Sequence, residues 1–228
     1  MIYAMSDIHG CYEKYCKMLE LINFSKEDRL YILGDVVDRG NNGLKVLLDI
    51  VKRENVVLLK GNHDHTADCL LSNLHMLEGD NCSSKIVEAF GAWMKDGGEK
   101  TLEEFFALSE EDRNIVLKTL REALLCKEVE VGGRTFLLAH TVPEVDRIFD
   151  YDQWGLEEFT WGEPDYEEEY FEDKYLVTGH TPTGYICKDS LGKIWQGNRH
   201  IAIDCGAVFG NPLGCICLDT LEEFYTIG

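Results

Sequence analysis

The chain has 228 residues, enough to bury one core and short for two, so a single domain spanning 1–228 is expected. With 42 acidic against 22 basic residues its formal charge is −20, which repels nucleic-acid backbones and anionic membrane surfaces and excludes both as bulk partners. The nine cysteines lack CxxC spacing and the first residues lack a secretory apolar stretch, which together suggest a protein of the reducing cytoplasm.

Met1–Met5 reads as a buried strand, followed by Tyr15, Met18, Leu19 and Ile22 on one helical face. Leu30–Leu33 is a second strand, Leu44, Leu47, Leu48 and Val51 repeat the helical stripe, and Val56–Leu59 is a third strand. This βαβαβ order implies parallel strands with right-handed crossovers, and it brings Asp7, Asp35 and Asn62 to one carboxyl edge. From about residue 67 to 125 the pattern is helical, broken at Gly79-Asp80-Asn81 and Asp96-Gly97-Gly98, and reads as an inserted cap. Gly132-Gly133 joins Lys127–Val131 to Arg134–Ala139 as a hairpin. Residues 157–173 hold nine carboxylates and read as a solvated loop. Tyr175–Thr178, Tyr185–Lys188, Ile201–Asp204, Leu213–Leu218 and Glu223–Thr226 then read as the strands of a second sheet.

Chemistry concentrates in Asp7-Ile8-His9-Gly10, Gly34-Asp35-Val36-Val37-Asp38-Arg39-Gly40, Gly61-Asn62-His63-Asp64, Ala139-His140 and Gly179-His180-Thr181-Pro182. Carboxylate oxygen and imidazole nitrogen suit hard and borderline divalent ions. The lack of cysteine in these clusters disfavours a structural zinc site, so two divalent ions are expected, manganese first, with iron or zinc as alternatives. A two-metal site needs a bridging carboxylate, and Asp35, on the middle of the three strands, is the candidate. His63, beside Asn62, is the candidate general acid for the leaving group, Asp38 its orienting partner, and Arg39 the fork for phosphate oxygens. His65, His75 and His200 lack motif partners and read as ordinary surface or core histidines. The cysteines read as small apolar fillers and Trp161 as a packing residue. Asp96-Gly97-Gly98 fits either a substrate-facing loop or a helix end.

These clusters resemble the phosphoprotein phosphatase family of the calcineurin-like metallophosphoesterases, in particular its short bacterial and phage branch. The similarity runs from Asp7 through His180 and on to Ile203-Asp204-Cys205-Gly206-Ala207. It implies an α/β fold, a two-sheet β-sandwich flanked by helices with a helical cap. It further implies that Asp7, His9 and Asp35 hold one metal and Asp35, Asn62, His140 and His180 the other, with a His63–Asp38 acid pair and phosphate on Arg39 and Asn62. The sequence departs from the family pattern in several places. Ser6 stands where a glycine is usual, Asp64 where a glutamate is common, and Thr141-Val142 follows His140 where a glycine is expected. Trp161 is followed by Gly162-Glu163-Pro164-Asp165 in place of a second phosphate-binding arginine, so Lys188, Lys193 and Arg199 are further candidates for that task. The leading expectation is a serine/threonine protein phosphatase that also accepts small phosphomonoesters, using two-metal-activated water for in-line hydrolysis. The alternative is a nucleotide phosphoesterase such as a diadenosine tetraphosphate hydrolase, against which the lack of Lys and Arg between Arg147 and Lys174 argues mildly. The third reading is a non-catalytic binding protein on the same fold.

Overall fold

The computed structural model of the protein describes residues 1–77, 83–144 and 153–226. The expected break at Gly79-Asp80-Asn81 and the position of Arg147 lie outside the described residues.

Strands β1 (Ile2–Met5), β2 (Arg29–Ile32) and β3 (Val56–Leu58) alternate with helices α1 (Tyr12–Leu21) and α2 (Gly43–Ile50) and pair in parallel, as the βαβαβ pattern requires. Alternate side chains on these strands face different cores. Tyr3, Met5, Leu30 and Ile32 pack with Tyr15, Met18, Leu19, Leu44 and Leu47 of the helices, while Ala4, Tyr31 and Leu33 face the opposite way. On α2 the buried stripe is Leu44, Val46, Leu47 and Ile50, whereas Leu48 is half-buried and Val51 is exposed, a rotation from the expected face.

Helix α3 (Asn62–Ser72) opens the cap, followed by α4 (Ser84–Trp93), a kinked turn Met94–Gly98, α5 (Glu99–Ala107) and α6 (Glu110–Glu122). Ser83 and Ser109 cap α4 and α6 by accepting from the backbone N–H three residues on. The described residues between Asn62 and Glu122 are thus mostly helical.

The second sheet starts with the expected hairpin, β4 (Cys126–Val131) and β5 (Arg134–Ala139). Helix α7 (Leu156–Trp161) follows, so part of the acidic run expected as loop is helical, with Phe159 packed under β5. Next come β6 (Tyr175–Thr178), the short helix α8 (Thr183–Ile186), β7 (Trp195–Gly197), β8 (His200–Ala202), β9 (Gly214–Cys217) and β10 (Glu223–Tyr225). Two expectations are corrected here. Tyr185–Lys188 is no strand: Pro182 and Thr183 open a helical turn whose Thr183 N–H donates to Asp204 O at 2.9 Å. The last two strands also leave the second sheet, since β9 pairs antiparallel with β1 and β10 with β9.

The sheets read β10-β9-β1-β2-β3 and β4-β5-β6-β8-β7. Between them lies a core of Ala4, Tyr31 and Leu33 from one side and Phe136, Leu138, Val177 and Ile201 from the other. This is the α/β two-sheet sandwich flanked by helices. Among the described residues no helix is long and apolar enough to cross a membrane.

Candidate metal and phosphate site

The candidate residues sit where strands end. Asp7 follows β1, Asp35 follows β2, Asn62 opens α3 after β3, His140 follows β5 and His180 follows β6. Parallel strands bring these turns to a common edge. The backbone there is unusual: among the ten described non-glycine residues with positive φ are Asp7, His9, Asp35, Asp38, Arg39 and His180. Left-handed conformations cost side-chain-bearing residues free energy and are retained where a site demands them.

Asp64 fixes the central loop. Its buried carboxylate accepts from the backbone N–H of Asp35 at 2.8 Å, Val36 at 3.0 Å and Gly61 at 3.1 Å. Here aspartate does its work by locking the Asp35 turn onto the start of α3. Gly61 has to be glycine, because a Cβ there would overlap the Asp35 carboxylate and backbone. Ser6 donates its hydroxyl to Asp7, so the departure at that position adds a partner to the carboxylate.

Lone pairs converge in two groups. His140 Nδ1 donates to Leu33 O at 2.7 Å, which leaves Nε2 unprotonated. That nitrogen lies 3.0 Å from Asn62 Oδ1, 3.2 Å from His180 Nδ1 and 3.6 Å from Asp35 Oδ1. His9 Nδ1 likewise donates to Val37 O at 2.8 Å, turning Nε2 toward Asp35 Oδ2 at 3.5 Å. Ligand atoms of His9, Asp35 and His63, and of Asp35, His140 and His180, each lie within 4.8 Å of one another. Buried imidazole nitrogens converging with carboxylate and amide oxygens form a donor set that fits divalent ions of the oxygen- and nitrogen-binding kind. Burial, then the charges of Asp204 and Asp35, pushes the Asp7 carboxyl well above the ordinary range. Burial, then Asp64, does the same to Asp35. Burial holds His9 and His140 well below the usual imidazole value and lowers His180 to about 4. A bound dication reverses the carboxylate penalty and uses the neutral imidazoles as they stand.

Beside these groups Asp38 is fully buried. Its Oδ2 accepts from His63 Nδ1 and from Trp93 Nε1, both at 2.8 Å, and its Oδ1 accepts from the Thr101 hydroxyl at 2.6 Å. His63 Nε2 is buried and has no hydrogen-bond partner. Arg39 Nη1 donates to His9 Nε2 at 2.8 Å, and its Nη2 pairs with Asp96 at 3.3 Å. Asp96 also lies 3.6 Å from His63 Nε2. Gly97, at φ +100°, lets the kinked cap turn lie against Arg39, whose N–H donates to Gly97 O at 3.0 Å. Asp96 and Gly97 are thus part of the site wall, as the substrate-facing alternative for that turn had it, and Trp93 and Thr101 are contributors that no sequence motif marks.

Asp204 is a further buried carboxylate whose charge acts on Asp7, and burial raises it to about 6. Trp161 is about half exposed, contrary to the packing expectation, and borders a hollow of about 560 Å³ lined by Pro143, Glu144, Glu157, Glu158 and Glu163. No cation among the described residues lines that hollow. Arg199 pairs with Glu169 at 2.8 Å. His200 is a core histidine, stacked on Tyr166 at 4.9 Å.

Residues 1–205 match the calcineurin-like phosphoesterase family. The chain belongs to that family. Calcineurin-like phosphoesterases are metal-dependent phosphoric ester hydrolases, and this chain carries their fold and a donor set that fits divalent ions. Among curated relatives, a symmetrical bis(5'-nucleosyl)-tetraphosphatase of Chromobacterium violaceum is 29% identical over 164 residues, covering 68% of this chain and 50% of that protein. Another of the same name, from Wigglesworthia glossinidia brevipalpis, is 37% identical over 89 residues, covering 38% of this chain and 33% of that protein. The chain thus spans half or less of the length of these relatives. A solved structure provisionally assigned as a diadenosine tetraphosphatase aligns with all of this chain and 93% of its own, with a TM-score of 0.68 and 17% identity. A protein serine/threonine phosphatase from Saccharomyces cerevisiae aligns with all of this chain and 80% of its own, with a TM-score of 0.58 and 14% identity. At such identities these two establish likeness of fold.

Proposed function

We propose that this chain is a single-domain, cytoplasmic, metal-dependent phosphoric ester hydrolase acting on small nucleotide phosphoesters of the dinucleoside polyphosphate kind. The observation that carries the chemistry is the His63 imidazole, tied at Nδ1 to Asp38, with a buried Nε2 that makes no hydrogen bond and lies 3.6 Å from Asp96, gathered with His9 and Asp35 next to the Asp35, His140 and His180 group. The relatives named as tetraphosphatases support the substrate class over the phosphoprotein expected from the sequence.

In this reading Asp7, His9 and Asp35 hold one divalent ion, and Asp35, Asn62, His140 and His180 hold a second. Manganese is the first candidate. The bound pair supplies Lewis-acid charge to the phosphate oxygens and to the attacking water. His63 passes a proton from Nε2 to the departing oxygen, while Asp38 keeps the Nδ1–H end of the ring fixed. Arg39 and the Asn62 amide orient the phosphate. The buried contacts of Asp38 with Trp93 and Thr101 keep the acid in one position without reorganisation during the reaction.

A phosphoprotein substrate is the second reading, favoured by the carboxylate-lined hollow whose lining begins at Pro143, a few residues after His140, and which suits a basic peptide segment. The test is a panel of dinucleoside tetraphosphate, nucleotides, phosphoserine peptides and an aryl phosphate after manganese reconstitution. The highest kcat/KM is expected on the dinucleoside tetraphosphate. A tenfold preference for phosphopeptides would install the second reading, and no turnover of any ester would make the chain a binding protein.

A further inference from the structure

Phe209 is 63% exposed, yet it sits on a turn held by several hydrogen bonds. The turn Ala207–Phe209 is bounded by Gly206 and Gly210, at φ +76° and +93°, and Phe209 N–H donates to Gly206 O at 3.0 Å. The Lys14 ammonium, from α1, donates to Ala207 O at 2.8 Å and to Asn211 O at 2.6 Å, clamping both ends. The exposure of the ring therefore reflects a fixed backbone and not slack. Its centroid lies 5.7 Å from the guanidinium carbon of Arg39, which sits over the ring. A lone exposed apolar residue on a protein surface is ordinary. An aromatic ring that carries the Arg39 guanidinium over one side and is otherwise exposed presents a π-surface next to the phosphate-binding fork.

We infer that Phe209 is a stacking platform for the base of a nucleotide whose phosphate lies on Arg39. The inference rests on the nucleotide reading of the site and names how that substrate is gripped. Base–aromatic stacking tolerates any base, because every base has a π-face. A preorganised ring also loses little freedom on binding. Selectivity would then lie between nucleotides and phosphoesters lacking a planar group, and not between adenine and guanine.

The test compares adenosine 5'-monophosphate with ribose 5-phosphate, two ligands that differ by the base alone, in calorimetric titrations of the manganese-loaded chain. Wild type is expected to bind the nucleotide roughly tenfold tighter. Phe209→Ala should bring the two within about twofold, and Phe209→Trp should keep the preference. Equal affinities in wild type, or a preference that survives Phe209→Ala, would overturn the platform. Turnover of dinucleoside tetraphosphate by the same preparations separates the two ideas. Absent turnover with an intact base preference sinks the substrate reading alone, and turnover without base preference sinks the platform alone.

Discussion

Replacing Asp38 by asparagine removes one charge from the middle of the site and little else. The amide oxygen can take the place of Oδ2 and accept from His63 Nδ1 and Trp93 Nε1, each 2.8 Å away in the native chain. The amide nitrogen then faces the Thr101 hydroxyl, which already accepts from the residue-38 N–H at 2.9 Å and has a second lone pair. What is lost is the charge assistance of the bond to His63, the gap of about 1–1.5 kcal/mol between a charged and a neutral hydrogen bond, or roughly 5- to 12-fold in rate if it is fully expressed when the acid delivers its proton. The assay is kcat on an alkyl and an aryl phosphate at saturating manganese, with metal content measured on the same samples. The alkyl ester should lose the full factor and the aryl ester less, because a phenolate leaves without full protonation. Metal content should not change. Equal losses on both esters, or no loss on either, would refute the role given to the Asp38–His63 pair.

Arg39→Ala should lower kcat/KM at least tenfold on every phosphoester, since a charge-assisted contact contributes about 1.5–3 kcal/mol, and Arg39→Lys should recover only part of it because a point charge cannot form the bidentate fork. A loss within about twofold would make Arg39 a brace for the kinked cap turn, to which its backbone is already bonded. Burial depresses His200 to about 3, so it is neutral in the folded chain, whereas the unfolded chain takes up its proton near pH 6.5. Its contribution is therefore complete above pH 6.5 and declines, by at most about 1.4 kcal/mol per unit, as the pH falls from there toward 3. Urea midpoints of wild type and His200→Gln between pH 7 and 5 should diverge in slope, and parallel curves would contradict the buried neutral assignment.

The candidate site was legible because its parts are local. Asp7, Asp35, Asn62, His140 and His180 each follow a short apolar strand, and parallel pairing brings such strand ends together whatever the loops between them do. The support around Asp38 was less so. Trp93 and Thr101 reach it from 55 and 63 residues away, through a cap whose docking depends on tertiary packing that no local pattern reveals. Strand partners were hidden for a related reason. Cys215 and Cys217 face one core and Ile216 the other, so β9 is buried on both sides and its composition is compatible with either sheet. Trp195–Gly197 was missed because Gln196 and Gly197 carry no strand signal on an edge, whereas Tyr185–Lys188 carried one with no partner to pair with.

If Asp35 joins two ion sites as proposed, metal stoichiometry will show it. After exhaustive chelation and reconstitution with manganese, elemental analysis and calorimetry should find two ions per chain. Asp35→Asn should bind fewer than two and lose turnover, because a neutral amide cannot balance two dications as a bridging carboxylate does. Two tightly bound ions and normal hydrolysis in Asp35→Asn, or full activity in a chain confirmed free of metal, would contradict the account.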